Sequence, residues 1–525
     1  MMENSKDRLC PVFLAVFFVV VLMDLLMLAH TVYAEIIPSS RRIDWANAGY
    51  PGSIPEFSQI VNVKDFGAKG NGVTDDYQAI ANAIAAAPSN TVIFVPQGTY
   101  RITHTITMKQ NTVLRGAGAG KTRLKFDLGA ADCIRIEAWQ RGEFTPVVSG
   151  FQKGSKSITV KNGSLFKAGD VAEIQQDNDA EIMYTSPSWN TSWAQNAVGQ
   201  FFRIVGVSGN TLQIDRPLHI DFRADLNPQV RTNSLIQNVG VEDLYIERSS
   251  AAGAGYTIWI ANARNCWIRS IESAYTYKGH VIIYSSMNVE IRDSYFHHSH
   301  DYGTGGDGYG IQLFYHTTDC LVENNVFDTL RHSVVMNVGA NGNVFAYNYS
   351  AHAFIEPNFV QADVSLHGHY LFMNLFEGNI VQKITMADWW GPLGPGNTLL
   401  RNRVEFKNIE VQDYSHSQNI VGNELTGGSN SISIHPSVIG TLVHGNNENG
   451  GITWSKDIVD HNLPRSYYLS SKPSFFGQVA WPPFGPEKVL GEGTIPAKVR
   501  FDSGAPVYDE RGAVKPPSRL RIMIE

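Results

Sequence analysis

The stretch DCLVENNVF, residues 319–327, decides the fold of this chain. It is a short alternating segment rich in Val, Phe and Asn, which is typical of a β-strand followed by a polar turn. Similar segments recur roughly every 20 to 30 residues, a period at which one structural unit per repeat stacks on the next. The other copies are NCWIRSIES (265–273), NVEIRDSYF (288–296), GNVFAYNYS (342–350), YLFMNLFEGN (370–379), NTLLRNRVEF (397–406) and SQNIVGNEL (417–425).

A second type of strand lies between these copies. Its members are GHVIIYSS (279–286), YGIQLFYH (309–316) and HSVVMNVG (332–339). Two or three strands per repeat, with no helical periodicity between them, predict an all-β right-handed parallel β-helix, which is a solenoid. Asparagines that can hydrogen-bond from coil to coil fall near the ends of equivalent strands, at Asn325, Asn348, Asn374, Asn402 and Asn423.

Composition agrees with a β protein. The 525 residues include 47 glycines, 11% aromatic and only 17% charged residues, and the net charge of -7 argues against a nucleic-acid partner. Beyond the leader the cysteines are Cys133, Cys266 and Cys320, an odd set. Cys266 and Cys320 occupy equivalent positions two coils apart, about 10 Å, which exceeds the reach of a disulfide. We therefore expect buried free thiols.

The first 34 residues have the pattern of an export signal. Lys6 and Arg8 precede a long apolar run, and VYA at 32–34 offers a small-residue cleavage site after Ala34. The run is long for a signal peptide, so an uncleaved membrane anchor is the alternative, although Asp24 inside it disfavours a stable span. We expect a secreted protein, periplasmic or extracellular, that touches a membrane only if this segment is retained.

The segment VNVKDFGAKGNGVTDDYQAIANAIAAA, residues 61–87, predicts a short helix. Thr74 or Asp75 is the expected N-cap, and Ile80 and Ile84 form the apolar side with which the helix would cap the open end of the coil stack. With the strands that follow, this block of about 60 residues resembles the opening of the pectate-lyase-like superfamily of secreted β-helix proteins. That superfamily includes polysaccharide lyases, glycoside hydrolases and phage tailspikes, so the resemblance implies the fold and not the reaction.

The chain divides into five parts by pattern. Between 145 and 230, alternating segments such as KGSKSITV and FKAGDVAEIQQ break the coil rhythm and predict an inserted β-subdomain. The Pro- and aromatic-rich tail LPRSYYLSSKPSFFGQVAWPPFGP (463–486) is expected to wrap and cap the last coils, and it resembles the ends of uncharacterised secreted bacterial β-helix proteins. The predicted parts are the leader 1–34, the N-terminal coils and cap 35–144, the insert 145–230, the main β-helix 231–430, and the last coils with the tail 431–525.

Polar residues gather in the connections of the main β-helix. These connections should align on one edge, because separate loops on a rigid scaffold are how such folds build sites. The expected catalytic residues are Lys278, His300, Tyr309, Arg331 and His332, and the expected substrate-binding residues are His280, His316, His367, Trp389 and Trp390. Taken singly, a histidine at a strand edge is more often a hydrogen-bonded surface residue than a catalyst.

The residue types favour β-elimination on a uronic acid. A base removes the proton next to the carboxylate, a cation neutralises that carboxylate, and an acid protonates the departing oxygen. Arg331 suits the cationic role because its planar fork can hold a carboxylate in two bonds. His332 or Lys278 is the expected base, and Tyr309 or His300 the expected acid.

Two branches of the superfamily bear on this prediction. YGIQLFYH followed by RHSVVMN resembles the β-helix alginate lyases and mannuronan epimerases, which share the proton-abstraction step, although the Asp-Pro-His motif of the epimerases is missing. The polygalacturonase branch implies paired aspartates, and residues 256–420 contain no Asp-Asp pair. Carboxylate-lined sites in lyases of this superfamily suggest a Ca²⁺ ion, for which Asp301, Asp307 and Asp363 are the candidate ligands.

The sequence therefore predicts an enzyme that cleaves an acidic polysaccharide by β-elimination. The alternatives are a glycoside hydrolase, which needs two suitably spaced carboxylates, a uronate epimerase, and a non-catalytic polysaccharide-binding or adhesion module lined by exposed aromatic residues. We expect a monomer or a trimer.

Overall fold

Three large sheets wind around one another in the computed structural model, which describes residues 35–251, 253, 255–303, 306–354, 362–387, 390–428 and 430–508. A typical turn of the chain contributes one strand to sheet 1, then one to sheet 2, then one to sheet 3, and strands of successive turns pair in parallel; the first and last described turns have no sheet-3 strand. This is the parallel β-helix that the repeats predict. The predicted leader, residues 1–34, lies outside the described residues.

Within the described residues the strands follow sequence order along each sheet. Sheet 1 contains Gln59–Asn62, Thr91–Val95, Thr112–Gly116, Gly240–Glu242, Trp267–Arg269, Glu290–Arg292, Leu321–Glu323, Val344–Ala346, Leu375–Glu377, Thr398–Leu400, Asn419–Val421 and Leu442–His444. Sheet 2 contains Asn71–Asp75, Gly98–Ile102, Thr122–Phe126, Tyr245–Arg248, Glu272–Thr276, Tyr295–Ser299, Val326–Asp328, Tyr349–Ala351, Ile380–Val381, Arg403–Val404, Glu424–Leu425, Asn446–Glu448 and the antiparallel Gly451–Thr453. Sheet 3 contains Ile106–Thr107, Ile134–Glu137, Ile258–Ala261, Gly279–Tyr284, Tyr309–Phe314, His332–Asn337, Val364–Leu366, Ile384–Met386, Ile409–Val411 and Ile432–Ile434.

Smaller elements surround these sheets. Ile236–Gln237 and Ala263–Arg264 pair as short parallel strands. The α-helices are Tyr77–Ala86, Ala180–Met183 and Pro496–Asp502. The 3₁₀ helices are Ser39–Arg41, Trp45–Asn47, Val63–Phe66, Gly163–Leu165, Pro187–Trp189, Ser192–Ala194, Ala224–Leu226 and Ser474–Phe476. Among the described residues, no helix is long and apolar enough to span a membrane.

Alternation along each strand builds the core. In sheet 3, Ile258, Ile283 and Met336 point inward and are fully buried in the main apolar cluster. Burial of one such side chain contributes about 1.5–3 kcal/mol. The intervening residues point outward, so each coil presents a second, outer row of side chains to solvent or to the elements packed on it.

Asparagine ladders run along two corners of the β-helix. At the corner between sheets 1 and 2 the ladder passes through Asn325, Asn348, Asn379, Asn402, Asn423 and Asn446, with amide-to-amide distances of 2.9–3.1 Å. Asn374 belongs instead to a second ladder at the corner between sheets 3 and 1, where it bonds Asn343 and Asn397. The single ladder predicted from sequence is therefore wrong, because Asn374 and Asn379 lie at opposite ends of one sheet-1 strand.

Cys266 and Cys320 occupy the position that Asn343 and Asn374 take in later coils, directly before a sheet-1 strand. Both thiols are free and fully buried, as is Cys133. Burial raises the pKa of Cys266 to about 12, which keeps its thiol protonated. The prediction of buried free thiols is confirmed.

The helix Tyr77–Ala86 lies against the first coils, where Ile80 and Ile84 are buried in the main cluster. Its N-cap position is Asp76, one residue beyond the expected Thr74 or Asp75. The Asp76 side chain is not a helix cap, because it accepts the N–H groups of Lys69 and Gly70. Asp75 instead accepts the N–H of Tyr77 at 3.1 Å.

Residues 140–234 form an antiparallel sheet with its own apolar core, which we call the insert. Its strands are Gln140–Arg141, Thr145–Ser149, Ser157–Val160, Val171–Gln175, Gly199–Ser208, Thr211–Ile214 and Gln229–Ser234. Buried Phe202, Ile204 and Leu212 belong to that core. The backbone N–H of Phe201 donates to Thr318 Oγ1 at 3.1 Å, which joins the insert to a coil of the main β-helix.

The C-terminal tail runs back along the β-helix. Tyr468 donates to Glu323 at 2.7 Å, Arg500 donates to the carbonyl of Asn324, and the N–H of Tyr508 donates to the carbonyl of Asp293. These partners belong to central coils and not to the last ones. The tail also reaches a later coil, because Arg401 donates to the carbonyls of Leu463 and Phe484, so it covers the outer side of the corner between sheets 1 and 2 along both central and later coils.

Candidate active site

The outer side of sheet 3 carries polar and aromatic side chains where an ordinary solvated face would carry short polar ones. We call this surface the sheet-3 face and define it by the outward residues Tyr256, Trp259, Tyr284, Tyr309, Gln312, Phe314, His332 and Asn337. Residues 301–303 and 306–308, called loop 301–308 below, bound it where the sheet-3 strands begin, and the insert bounds it where they end. Such convergence of aromatic and polar groups is typical of ligand sites.

Tyr309 and His332 start neighbouring strands and are paired in register. Their ring centroids lie 5.3 Å apart, and both side chains are more than 90% buried. Gly279 occupies the same position in the preceding coil, where a Cβ would lie 3.1 Å from Tyr256 and 3.3 Å from Tyr309. A glycine there leaves room for both tyrosine rings.

His332 is oriented by a backbone carbonyl. Its Nδ1 lies 2.6 Å from the carbonyl oxygen of Ala362, which can only accept, so Nδ1 carries the proton. In the neutral imidazole the lone pair is then on Nε2. A histidine held in one tautomer by a carbonyl is prepared to act as a base through its other nitrogen.

Arg331 lies beneath loop 301–308. Its guanidinium donates to the carbonyl of Gly303 and sits 5.8 Å from the centre of the Tyr309 ring, and the residue is 5% exposed. Arg331 can therefore act on Tyr309 by its charge at close range, in a region of low dielectric. The exposed bidentate fork that the sequence suggested is not what the structure shows, because the loop covers this side chain.

Charged groups of both signs surround Tyr309. Burial raises the pKa of Asp307, the nearby carboxylate of Asp301 raises it further, and Lys278 and Arg331 oppose both effects. Asp301 is held by the N–H of Gly303 at 2.7 Å. Lys278 is only partly buried, so it is the accessible cation of this cluster.

An aromatic row crosses three successive coils on the same face. Trp259 stacks on Tyr284 with ring centroids 6.2 Å apart, and Tyr284 stacks on Phe314 at 5.5 Å. Tyr256 donates to Gln312 Oε1 at 2.6 Å, and Gln312 in turn donates to Asn337. The row offers apolar ring faces beside amide groups, a combination that suits sugar rings and their hydroxyls.

The insert extends this row. Trp193 is 41% exposed and contacts Phe314 at 6.1 Å, Trp390 at 5.3 Å and His369 at 4.7 Å between ring centroids. The predicted binding residues His367 and Trp390 thus lie at one end of the sheet-3 face, 6.4 Å apart. Trp389 lies outside the described residues.

Two predicted binding histidines are structural. His280 is fully buried and points inward, with Nδ1 2.7 Å from Ser273 Oγ, and burial lowers its pKa well below the ordinary value. His316 is also fully buried, with Nδ1 2.7 Å from Glu173 and Nε2 2.6 Å from the carbonyl of Asn196. Neither ring reaches the sheet-3 face, so both predictions are corrected.

His300 and Asp363 are likewise placed elsewhere. His300 bonds the carbonyl of Arg248 through Nε2 at 2.8 Å and packs near Tyr275, at the end of a sheet-2 strand. Asp363 is 1% exposed and accepts the N–H groups of Gln382 and Lys383. Since Asp363 points inward, it does not join Asp301 and Asp307, and the described residues contain no group of three metal-binding side chains.

Sequence reasoning missed most of the aromatic row. Tyr256, Trp259, Tyr284, Gln312, Phe314 and Asn337 are not among the site residues that the sequence predicts. The signal that could have found them is the alternation itself, because Trp259, Tyr284 and Phe314 fall at the outward positions of strands whose inward residues are Ile, Val or Leu. Large aromatic residues at those positions need a reason beyond the core.

Comparison with known proteins identifies the N-terminal coils. Residues 60–132 match the family described as rhamnogalacturonase A/epimerase, pectate lyase-like. This match bears out the predicted resemblance to the pectate-lyase-like superfamily. It covers the segment that contains the helix Tyr77–Ala86 and the first coils, and not the sheet-3 face.

Curated relatives match a similar share of the chain. The preneck appendage protein of Bacillus phage PZA is 45% identical over 113 residues, which are 21% of this chain and 12% of that protein. A mannuronan C5-epimerase of Azotobacter vinelandii is 37% identical over 108 residues, 19% of this chain and 12% of the epimerase. An iota-carrageenase of Alteromonas macleodii is 32% identical over 129 residues, 22% of this chain and 25% of the carrageenase.

One solved structure shares the overall architecture. The tailspike gp61 of Pseudomonas phage phi297 superposes with a TM-score of 0.56 at 13% identity, covering 75% of this chain and 76% of the tailspike. At this identity the similarity shows the fold alone. It supports the β-helix over most of the chain.

Proposed function

We propose that this protein is a secreted carbohydrate-active enzyme that cleaves an acidic, uronate-containing polysaccharide by β-elimination on the sheet-3 face. The observation that carries the proposal is the cluster of Tyr309, His332, Arg331 and Lys278 at one end of an aromatic row. The named chemistry of the relatives, mannuronan epimerisation and carrageenan cleavage among them, supports a polysaccharide as the substrate.

Each step of β-elimination can be assigned to one residue of this cluster. His332 takes the proton next to the uronate carboxylate through Nε2, and the electron pair forms the new carbon–carbon double bond. The glycosidic oxygen at the β position departs and receives a proton from Tyr309. Lys278 neutralises the substrate carboxylate, and the buried charge of Arg331 stabilises negative charge on Tyr309 after the transfer.

Sugar units on either side of the cleaved bond would rest on the aromatic row. Neighbouring coils of a β-helix lie about 4.8 Å apart, so Trp259, Tyr284 and Phe314 form a track parallel to the helix axis. The amides of Gln312 and Asn337 lie beside this track and can bond hydroxyl groups. A polymer running along the axis is therefore the substrate shape that this surface favours.

Hydrolysis is the second candidate, on the strength of one observation. Asp301 and Asp307 lie six residues apart beside the same strands, and burial raises the pKa of Asp307, with the Asp301 carboxylate raising it further. A pair with one protonated and one ionised carboxyl group is what glycosidases use. Since Tyr309 and His332 lie beside the same loop, only the products distinguish the two reactions.

Secretion and Ca²⁺ dependence are parts of the same proposal. The phage appendage and tailspike relatives support a location outside the cell. A Ca²⁺ ion would have to be held by Asp301 and Asp307 with the substrate carboxylate, because Asp363 faces the interior.

The experiment is a survey of substrates with the purified protein. Pectate, alginate and glycosaminoglycans are incubated with and without Ca²⁺, while the absorbance of unsaturated uronates is followed at about 235 nm and reducing ends are counted. A rise in absorbance supports elimination. New reducing ends without that rise would favour Asp301 and Asp307 as a hydrolytic pair, and neither signal on any substrate would favour a binding module.

A further inference from the structure

A pocket of about 490 Å³ lies away from the sheet-3 face, at the corner between sheets 3 and 1. One wall is the N-terminal segment 46–52, another is the insert with Arg203, Asp215 and Arg216, and the floor is the coil corner with Arg264 and Asn288. Its volume is within the usual range for sites that bind small molecules. The proposed catalytic cluster lies at the opposite end of the sheet-3 strands, so this pocket is a separate surface.

Positive charge exceeds negative charge in this pocket. Arg216 is satisfied, since it pairs with Asp319 at 2.5 Å and with Asp215 at 3.1 Å. The Asp215 carboxylate also lies near a second guanidinium, that of Arg203, but the distance of 4.0 Å makes this a weak ion pair. The three arginines and these two aspartates therefore leave a net charge of +1.

Arg264 contributes most of this net positive charge. In the described part of the chain its guanidinium donates to one neutral group, Gln237 Oε1 at 2.5 Å, and no carboxylate lies within 4 Å of it. Burial and the like charge of Arg203 both lower its pKa. Two guanidinium groups that face the same space repel each other, Asp215 offsets only part of that repulsion because it also pairs with Arg216, and a bridging anion would remove the rest.

We infer that this pocket binds the anionic group of a small solute, a carboxylate or a phosphate, between Arg203 and Arg264. Guanidinium groups match the planar fork of a carboxylate and the oxygens of a phosphate. The volume leaves room for a body the size of a sugar next to Tyr50, which also lines the pocket. A sugar acid and inorganic phosphate share this chemistry, and the test separates them.

Binding of an anion would also fix the N-terminal segment on the coils. Asn288 of the coil corner donates to the carbonyls of Asn47 and Gly49 at 2.8 and 3.0 Å. These hydrogen bonds already join the N-terminal segment to the coils. A solute that contacts both would increase the thermal stability of the folded protein, by an amount that grows with the logarithm of the solute concentration once that concentration exceeds Kd.

The test is calorimetric titration of the full chain with galacturonate, inorganic phosphate and glucose, with thermal unfolding in parallel. We expect at least one anion to bind and glucose not to bind, with affinity that falls as salt is added. Arg264→Gln and Arg203→Gln should each weaken binding at least tenfold. The Arg203 side chain is half exposed, so we expect the Arg203→Gln variant to fold normally.

Two control variants show whether the anion binds in this pocket. Arg101→Gln removes the same charge from an exposed ion pair with Asp127 and should leave binding unchanged. Arg331→Gln, in the proposed catalytic cluster, should also leave it unchanged. Absence of anion binding would overturn the inference, as would binding that survives both pocket substitutions or that is lost in Arg331→Gln, and none of these outcomes depends on cleavage of a polysaccharide.

Discussion

Tyr309 and His332 stand opposite each other on neighbouring strands of sheet 3, with ring centroids 5.3 Å apart. The parallel register of the coils sets this pairing, and the hydrogen bond from His332 Nδ1 to the carbonyl of Ala362 sets the tautomer. The proposed base and the proposed acid are thereby held on one rigid sheet, which is how a site gains its precision.

His332→Gln and Tyr309→Phe should each reduce the rate of elimination about 10² to 10⁴-fold, because each removes a proton-transfer group. Both substitutions conserve most of the side-chain volume, so the unfolding temperature should change little. The matched control is His300→Gln, since His300 bonds the carbonyl of Arg248 away from this pair. Equal losses in the control and in the His332 variant would contradict the assignment.

Trp193→Ala should weaken binding of an oligosaccharide roughly 2 to 10-fold, the equivalent of one lost aromatic contact. Trp193 is 41% exposed, so the stability of the fold should hardly change. Tyr414, which is 48% exposed, is the matched aromatic control and should be neutral when replaced by Ala. Kinetic measurement of KM and kcat tests this, because a binding role predicts a change in KM alone.

Glu377 makes the docking of the C-terminal tail depend on pH. This carboxyl group is buried, accepts the Tyr347 hydroxyl at 2.7 Å and the N–H of Tyr467 at 2.9 Å, and its burial raises the pKa to about 7. Because the folded pKa is above that of the unfolded chain, the stabilisation is complete below pH about 4.5 and is lost as the pH rises through about 7. The loss is on the order of 3 kcal/mol.

Glu377→Gln tests that linkage. The amide imitates the protonated acid, since its NH₂ can donate to the Tyr347 oxygen while its oxygen accepts from Tyr467. We expect the variant to be more stable than the natural protein at pH 8 and to lose less stability between pH 5 and pH 8. Chemical denaturation at both pH values measures this, and an unchanged pH dependence would mean that Glu377 is ionised in the folded protein.

Glu173 predicts the opposite dependence. Its burial favours the neutral form, but hydrogen bonds and charges of His316 and Arg231 outweigh that effect and hold its pKa down to about 2. Its stabilisation is therefore present above pH about 4.5 and is lost as the pH falls towards 2. Glu173→Gln should cost about 3–5 kcal/mol at neutral pH, because it leaves buried positive charge unpaired.

Limited proteolysis shows which part of the protein the Glu173→Gln substitution destabilises. His316 belongs to a coil and Glu173 to the insert, so the variant should expose the insert to protease before the coils. Thr159→Ser, a small change at a partly buried position of the insert away from Glu173, is the control. Cleavage of the coils and the insert at the same rate would show that this pair does not hold the two together.

The coil pattern was predictable because inward Val, Ile and Phe alternate with polar residues in every repeat. The buried thiols followed from the same register. The second asparagine ladder was not predictable, because an Asn at either end of a three-residue strand gives the same local pattern, and only the pairing of coils separates Asn374 from Asn379.

The candidate site was predictable only in part. Lys278, Asp307, Tyr309, Arg331 and His332 do come together, because all of them lie where a sheet-3 strand begins. His280 does not join them because its ring turns inward to Ser273, and His316 does not because it is buried against Glu173 of the insert. Contacts between the insert and the coils, such as that of Trp193 with Phe314, join residues 121 positions apart and leave no local signature.

The most direct test of the central claim is the mass of the products released from an acidic polysaccharide. Elimination predicts that the new non-reducing ends are lighter by one water than those of hydrolysis, and that His332→Gln and Tyr309→Phe abolish them while His300→Gln does not. Products of the hydrolytic mass that vanish in Asp307→Asn instead would contradict the account.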